Sequence, residues 1–242
     1  MPNNITNIIT FDCTEERFTD IAESLKRDGS YIGSVDFNKL IPMPRELDIT
    51  SGSLGMSGFR MYMEYLSEVE GVEDTALKSR IWEKYLAKSE YAQEALELGR
   101  QYHENIEKYG SPTWYEWCCD HWGTKWNAYN CDKADMGGKA LRFETAWSSV
   151  PAIVKSISER FPEVLITYEW ADEDIGRNVG SAIFRSGSIK DIYMPEQGSK
   201  DAYEMSARII GFDLVGAGFK LTSDGKTYIY CYEEEDELID VG

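Results

Sequence analysis

A chain of 242 residues, 42% hydrophobic and 13% aromatic, carries enough apolar material for a substantial core, which excludes an intrinsically disordered polypeptide. Its 43 acidic residues against 25 basic ones give a net charge of −18. Such a charge repels a phosphate backbone and argues against general nucleic-acid binding, whose free energy comes largely from counterion release.

The opening stretch "MPNNITNIITFD" lacks the basic and long apolar regions of a signal peptide, and a cytosolic protein is expected. No run of 18 apolar residues follows, so neither a transmembrane helix nor membrane contact is expected. Ile5, Ile8, Ile9 and Phe11 mark a first strand. In "TEERFTDIAESLKRDG" Thr14 is a helix N-cap, and Phe18, Ile21, Ala22 and Leu25 recur on one helical face before Gly29 ends the helix. "VDFNKLIPMPREL" follows, with Pro42 and Pro44 enforcing an extended path. "SGSLGMSG", Ser51 to Gly58, has the composition of a flexible linker. From there to Gly110 the apolar residues recur at helical spacing: Phe59, Tyr62, Met63 and Leu66; Leu77, Ile81 and Tyr85; Ala95, Leu98, Tyr102 and Ile106.

The run "SPTWYEWCCDHWGTKWNAY" holds four of the seven tryptophans. Ser111 as N-cap and Pro112 at the first turn predict a helix that presents Trp114, Trp117, Cys118, His121 and Trp122 on one face and stops at Gly123. A hairpin is predicted next, with a strand from Thr124 to Cys131, a turn at Gly137-Gly138 and a strand through Trp147. "SSVPAIVKSISERFP" predicts a helix and "EVLITYEWADED" a strand. Without the helical insertion, the order is β-α-β-β-α-β, an α+β, ferredoxin-like (split β-α-β) core. The expected organisation is a core over residues 1–178, interrupted by a helical insertion at 50–123, with a C-terminal α+β extension over 179–242 packed on it. That extension comprises one or two strands in "NVGSAIFRSGSIKDIYMP", a helix in "KDAYEMSARIIGF" and a closing strand in "KTYIYCYE".

The segments "FNKLIPMP" (Phe37 to Pro44), "WCCDHWGTKWNA" (Trp117 to Ala128), "RFETAWSSVP" (Arg142 to Pro151) and "FPEVLITYE" (Phe161 to Glu169) resemble the YubB-like family of plasmid- and phage-encoded proteins. The resemblance spans about the first 170 residues apart from the helical insertion. It implies a ferredoxin-like fold and a mobile-element origin, and no reaction.

Catalytic constellations are weak. Cys118, His121 and Cys131 are soft ligands, but a fourth would have to come from Cys119 or Cys13, and no CxxC or HxxxH pair is present. Five cysteines, an odd number, also speak against a disulfide framework. Cys119 and His121 stand two residues apart on a helix and point to different faces, which does not make a thiol nucleophile. The glycine runs match no phosphate-binding motif. No metal, cofactor or catalytic residue is therefore expected. Trp114, Trp117, Trp122, Gly123, Thr124, Trp126 and Asn127 are expected to be structural, with the tryptophans locking the insertion onto the sheet.

Three functions follow as expectations. The first is a mobile-element accessory protein that binds and inhibits a basic host protein, a defence nuclease such as CRISPR-Cas, as an acidic nucleic-acid mimic. Its expected contact residues are Lys125, Asp172, Glu173 and Asp174, with Glu233, Glu234, Glu235, Asp236 and Glu237 of the acidic tail. The second is a single-stranded RNA- or DNA-binding module using the sheet, with Phe143 and Trp147 as stacking aromatics. The third is an enzyme or nucleotide-binding protein with a pocket between core and insertion.

Overall fold

The alternation of the first strand decides how the sheet is covered. In β1 (Asn4–Asp12), Ile5, Asn7, Ile9 and Phe11 point to one face and are buried, whereas Ile8 points to the other. In a computed structural model of the protein, which describes residues 3–87 and 90–231, β1 lies between β2 and β3 in a five-stranded antiparallel sheet of order β2-β1-β3-β4-β5. The other strands are β2 (Ala140–Ala146), β3 (Leu165–Asp172), β4 (Gly180–Arg185) and β5 (Ser188–Tyr193). Because β2 and β3 both run antiparallel to β1, they are parallel to each other and are joined by α6 (Pro151–Arg160). That is the split β-α-β arrangement, and the ferredoxin-like fold holds.

The chain divides into two compact units, Met1–Ile41 with Trp126–Gly242, and Pro42–Lys125. In the first, α1 (Glu15–Leu25) is capped by Thr14 and buries Phe18, Ile21, Ala22 and Leu25 as its period requires. It shares the Phe11 face of the sheet with α6, the Phe11 and Phe18 rings meeting at 5.7 Å. The opposite face is covered by α7 (Lys200–Ile210), whose Ala202 and Ile209 pack against Ala171 and Val179, with Ile8 and Met205 alongside. Short strands β6 (Phe219–Leu221) and β7 (Tyr228–Tyr230) form a separate two-stranded sheet.

The second strand of the expected hairpin forms as β2, but residues 124–131 do not make a strand. Only isolated bridges remain, Tyr129 to Glu144 and Asp135 to Ala140, at the outer edge of β2. Asn130 sits at φ 46°, a left-handed conformation that ends a ladder. The segment after Val35 is not purely extended either: it makes two 3-10 turns, Phe37–Lys39 and Arg45–Leu47.

The unit Pro42–Lys125 is helical: α2 (Ser53–Val69), α3 (Thr75–Leu86), α4 (Ala92–Tyr109) and α5 (Trp114–Trp122). The stretch expected to be a linker is mostly the first turns of α2, and its Gly55 and Gly58 lie in the α2–α4 interface, against Tyr102 and Ala95. A Cβ on Gly58 would fall inside the Ala95 carbonyl, and one on Gly99 would fall onto the Gly58 carbonyl. Helix backbones can approach this closely only where side chains are missing.

Candidate functional site

The "GTKWN" run ends in a bracket. Asn127 Oδ1 accepts from the backbone amides of Phe37 and Ala128, both at 2.9 Å, and its Nδ2 donates to Asp36 Oδ1 at 2.6 Å. Asp36 in turn caps the 3-10 turn, accepting from Asn38 N at 3.0 Å. Two segments distant in sequence, Asp36–Asn38 and Asn127–Ala128, are thus locked by one amide side chain. Arg27 Nη2 donates to Ala128 O at 3.1 Å, Tyr31 Oη to Cys131 O, and Ala134 N to Ile32 O at 3.0 Å. Gly33 stands at φ 117°, where a Cβ would fall inside the Asp132 carbonyl. Arg27, Trp126, Asn127, Ala128 and Tyr129 line an open cleft of about 310 Å³. Trp126 is 42% exposed there, and its ring meets Tyr129 edge-on at 6.3 Å. The cleft offers a guanidinium and aromatic surface but no nucleophile or general base.

Helix α5 begins later than expected. Thr113 is the N-cap rather than Ser111: its Oγ1 accepts from Tyr115 N at 3.2 Å and donates to Glu116 Oε2 at 2.6 Å. Thr113 with Glu116 three residues on is a capping-box spacing, which outweighs proline's preference for the first turn. Of the five residues expected on one helical face, Trp117, Cys118 and Trp122 are buried, Trp114 is half-buried and His121 is exposed. His121 stacks on Trp117 at 4.1 Å and 8°, with Nδ1 2.9 Å from Trp117 O. Trp117 and Trp122 meet edge-on at 5.8 Å. Gly123 closes the helix at φ 82°, Thr124 is buried and Lys125 is half-buried.

Four of the thiols are disarmed. Burial pushes Cys118, which lies 3.7 Å from Met43 Sδ, up to about 12. Burial also raises Cys13, Cys119 and Cys131, helped at Cys119 by the Asp120 and Glu116 carboxylates. A protonated thiol is a poor nucleophile and a poor metal ligand. Among the described residues no group of three or more His, Cys, Asp or Glu is placed to hold a metal ion. The consequence for stability has a definite sign. Cys118, and Tyr85, whose burial and Glu68 partner push it up to about 12, stay protonated in the fold at pH values where the unfolded chain has lost the proton. Stability is therefore full below about pH 9 and falls as pH rises toward 12. Denaturant midpoints of Cys118→Ala should fall less steeply than those of the parent chain across that window.

The acidic residues are used unequally. Asp172 is only 7% exposed and accepts from Asn3 Nδ2, Asp174 N and Asn178 Nδ2 at 3.2, 2.9 and 3.3 Å, so its carboxylate organises a turn instead of facing solvent. Glu173 accepts from Asn4 Nδ2 at 2.8 Å, and Asp174 pairs with Arg177 at 3.5 Å; both are exposed. Glu233 to Glu237 lie outside the described residues. Sequence reasoning missed the solvent face of α1, where Glu15, Glu16 and Asp20 are exposed and make no ion pair among the described residues. Their positions opposite Phe18, Ile21 and Leu25 carried the signal. Phe143, expected to stack bases, is fully buried on the helix-covered face, edge-on to Phe37 at 5.9 Å. The opposite face carries α7.

Among solved structures, a crystal structure of a protein api92 from Yersinia pseudotuberculosis is similar over 82% of this chain and 99% of that one, with 11% sequence identity and a TM-score of 0.34. No curated protein matches the chain. No helix among the described residues is long and apolar enough to cross a membrane. Residues 125–213, which include β2 through α7 and the segment before β2, match the family model described as the ferredoxin-like domain in Api92-like protein.

Proposed function

We propose that this protein is a mobile-element accessory protein that binds and inhibits a basic host protein, a defence nuclease such as a CRISPR-Cas complex, by offering carboxylates where phosphates would sit. The mobile-element assignment rests on the sequence resemblance to plasmid- and phage-encoded proteins. The observation that carries the binding mode is the α1 surface. Glu15, Glu16 and Asp20 are exposed without ion pairs among the described residues, in a chain of net charge −18. Glu16 and Asp20, four residues apart on the helix, lie one above the other with Glu15 beside them, and together they make a patch of negative charge that a basic groove can read. A binding role is further supported by protonated thiols, and by a sheet whose two faces are both covered by helices, which removes the stacking surface that a sheet-based RNA reader needs. The acidic tail, with six carboxylates and no basic residue over 233–240, adds a second electrostatic contribution.

The test is inhibition of a purified defence nuclease. The chain should block guide-directed cleavage, with inhibition weakening as salt rises. The triple variant Glu15→Lys, Glu16→Lys, Asp20→Lys should lose inhibition by about ten-fold or more. Deleting residues 234–242 should slow association while leaving the melting temperature within a few degrees. Full cleavage in the presence of excess protein, with no protection of an infecting phage, would sink the proposal.

A further inference from the structure

The five-stranded sheet has two unlike edges. One is closed, because residues 129–135 bridge to β2. The other is β5, exposed at every residue from Ser188 to Tyr193, with no backbone partner on its outer side among the described residues. Large apolar side chains are concentrated there: Ile189, Ile192, Tyr193 and Met194 are each about half exposed or more. An unpaired edge of this kind is a template for another strand.

The sequence of the edge says which strand. Ile183 pairs with Asp191 and Phe184 with Ile189, so Lys190 is the extra residue of a β-bulge. Without a bulge, Ile189 and Ile192, three residues apart, would point to opposite faces. With it, both share the face of Phe184 and Ala182, while Ser188 and Tyr193 share the face of Arg185 and Ser181. "SIKDIY" therefore has the same order of faces in both directions. Its chemistry is also self-matching, since a two-fold axis between residues 190 and 191 sets Ile189 opposite Ile192 and Lys190 opposite Asp191 of a second copy. Neither Lys190 nor Asp191 has an ion-pair partner within the described chain. The stretch is electrically neutral in a chain of net charge −18, so it adds no local repulsion between copies.

We infer that β5 is a homodimer interface, in which two copies join their sheets edge to edge, antiparallel, with Lys190 of each facing Asp191 of the other. The bulge and the lysine, which hinder pairing with an arbitrary strand, admit a partner that brings a carboxylate to the same place. The inference is independent of the proposed inhibitory function.

Sedimentation equilibrium at about 0.15 M salt should show a concentration-dependent monomer–dimer equilibrium, with the dimer populated below millimolar concentration. Lys190→Asp and Asp191→Lys should each weaken the dimer about ten-fold or more, by setting like charges opposite each other. An equimolar mixture of the two variants should recover a heterodimer, because each then meets its opposite at both positions. Circular dichroism should confirm that the variants stay folded. A chain lacking residues 232–242 should dimerise like the parent. A parent that stays monomeric at millimolar concentration, single variants with unchanged association, or a mixture that fails to pair would each overturn the assignment. So would dimerisation that disappears with the tail.

Discussion

Replacing Gly58 with alanine is expected to destabilise the Pro42–Lys125 unit by about 3 kcal/mol or more, although alanine is the better helix former by about 1 kcal/mol. Gly58 lies inside α2, and an added methyl would overlap the Ala95 carbonyl and approach the Ala95 Cα to 3.1 Å. Backbone atoms cannot rotate out of the way as a side-chain tip can, so α2 and α4 must separate. Separation also disturbs Gly99, whose own Cβ position is filled by Gly58 and by the Phe59 amide. Gly52, six residues earlier, has nothing within 4 Å of its Cβ position. Gly52→Ala should therefore leave the denaturation midpoint unchanged, while Gly58→Ala lowers it. Equal, small effects of both would mean that the stretch is the flexible linker its composition suggested.

That stretch shows where sequence legibility ends. β1, α1, α6 and α7 follow from periodicity alone, because each buries one face against a neighbour and the apolar spacing records it. Gly55, Gly58 and Gly99 carry no apolar signal. Their role is set by the partner helix, and no local pattern distinguishes a glycine under a crossing helix from one in a loop. Residues 124–131 failed as a strand for a related reason. Asn127 is claimed by Asp36 and Phe37, some 90 positions earlier, and Asn130 leaves the extended region. Asp172 looked like part of an exposed acidic run, yet Asn3 and Asn178, one of them 169 positions away, bury it in a turn. The reverse holds for Glu15, Glu16 and Asp20: their exposure was legible from the helical wheel, but the lack of an opposing cation was not. Local chemistry was visible, and pairings across the chain were not.

The buried polar network at the centre of the sheet carries the last expectation. The Tyr168 hydroxyl, fully buried, donates to Asn7 Oδ1 at 2.6 Å and accepts from Val150 N at 2.8 Å. Asn7 Nδ2 donates to Ile5 O at 2.9 Å and to Thr145 Oγ1 at 2.8 Å, and Thr145 Oγ1 donates to Ser148 O at 2.7 Å. The chain of bonds joins β1, β2, β3 and the start of α6, the pieces of the split β-α-β unit, and places Val150 at the N-cap of that helix. Tyr168→Phe removes one oxygen but orphans two groups that water cannot reach, the Val150 amide and Asn7 Oδ1. Each costs about 1–3 kcal/mol, so a loss of about 2–4 kcal/mol is expected in urea denaturation. Asn7→Leu alone should cost a similar amount. The double variant should lose clearly less than the sum, because the Tyr168–Asn7 bond can be lost only once and Asn7 Oδ1 no longer needs a partner. Simple additivity in this cycle would mean that the two groups act separately and that the network does not tie the strands together.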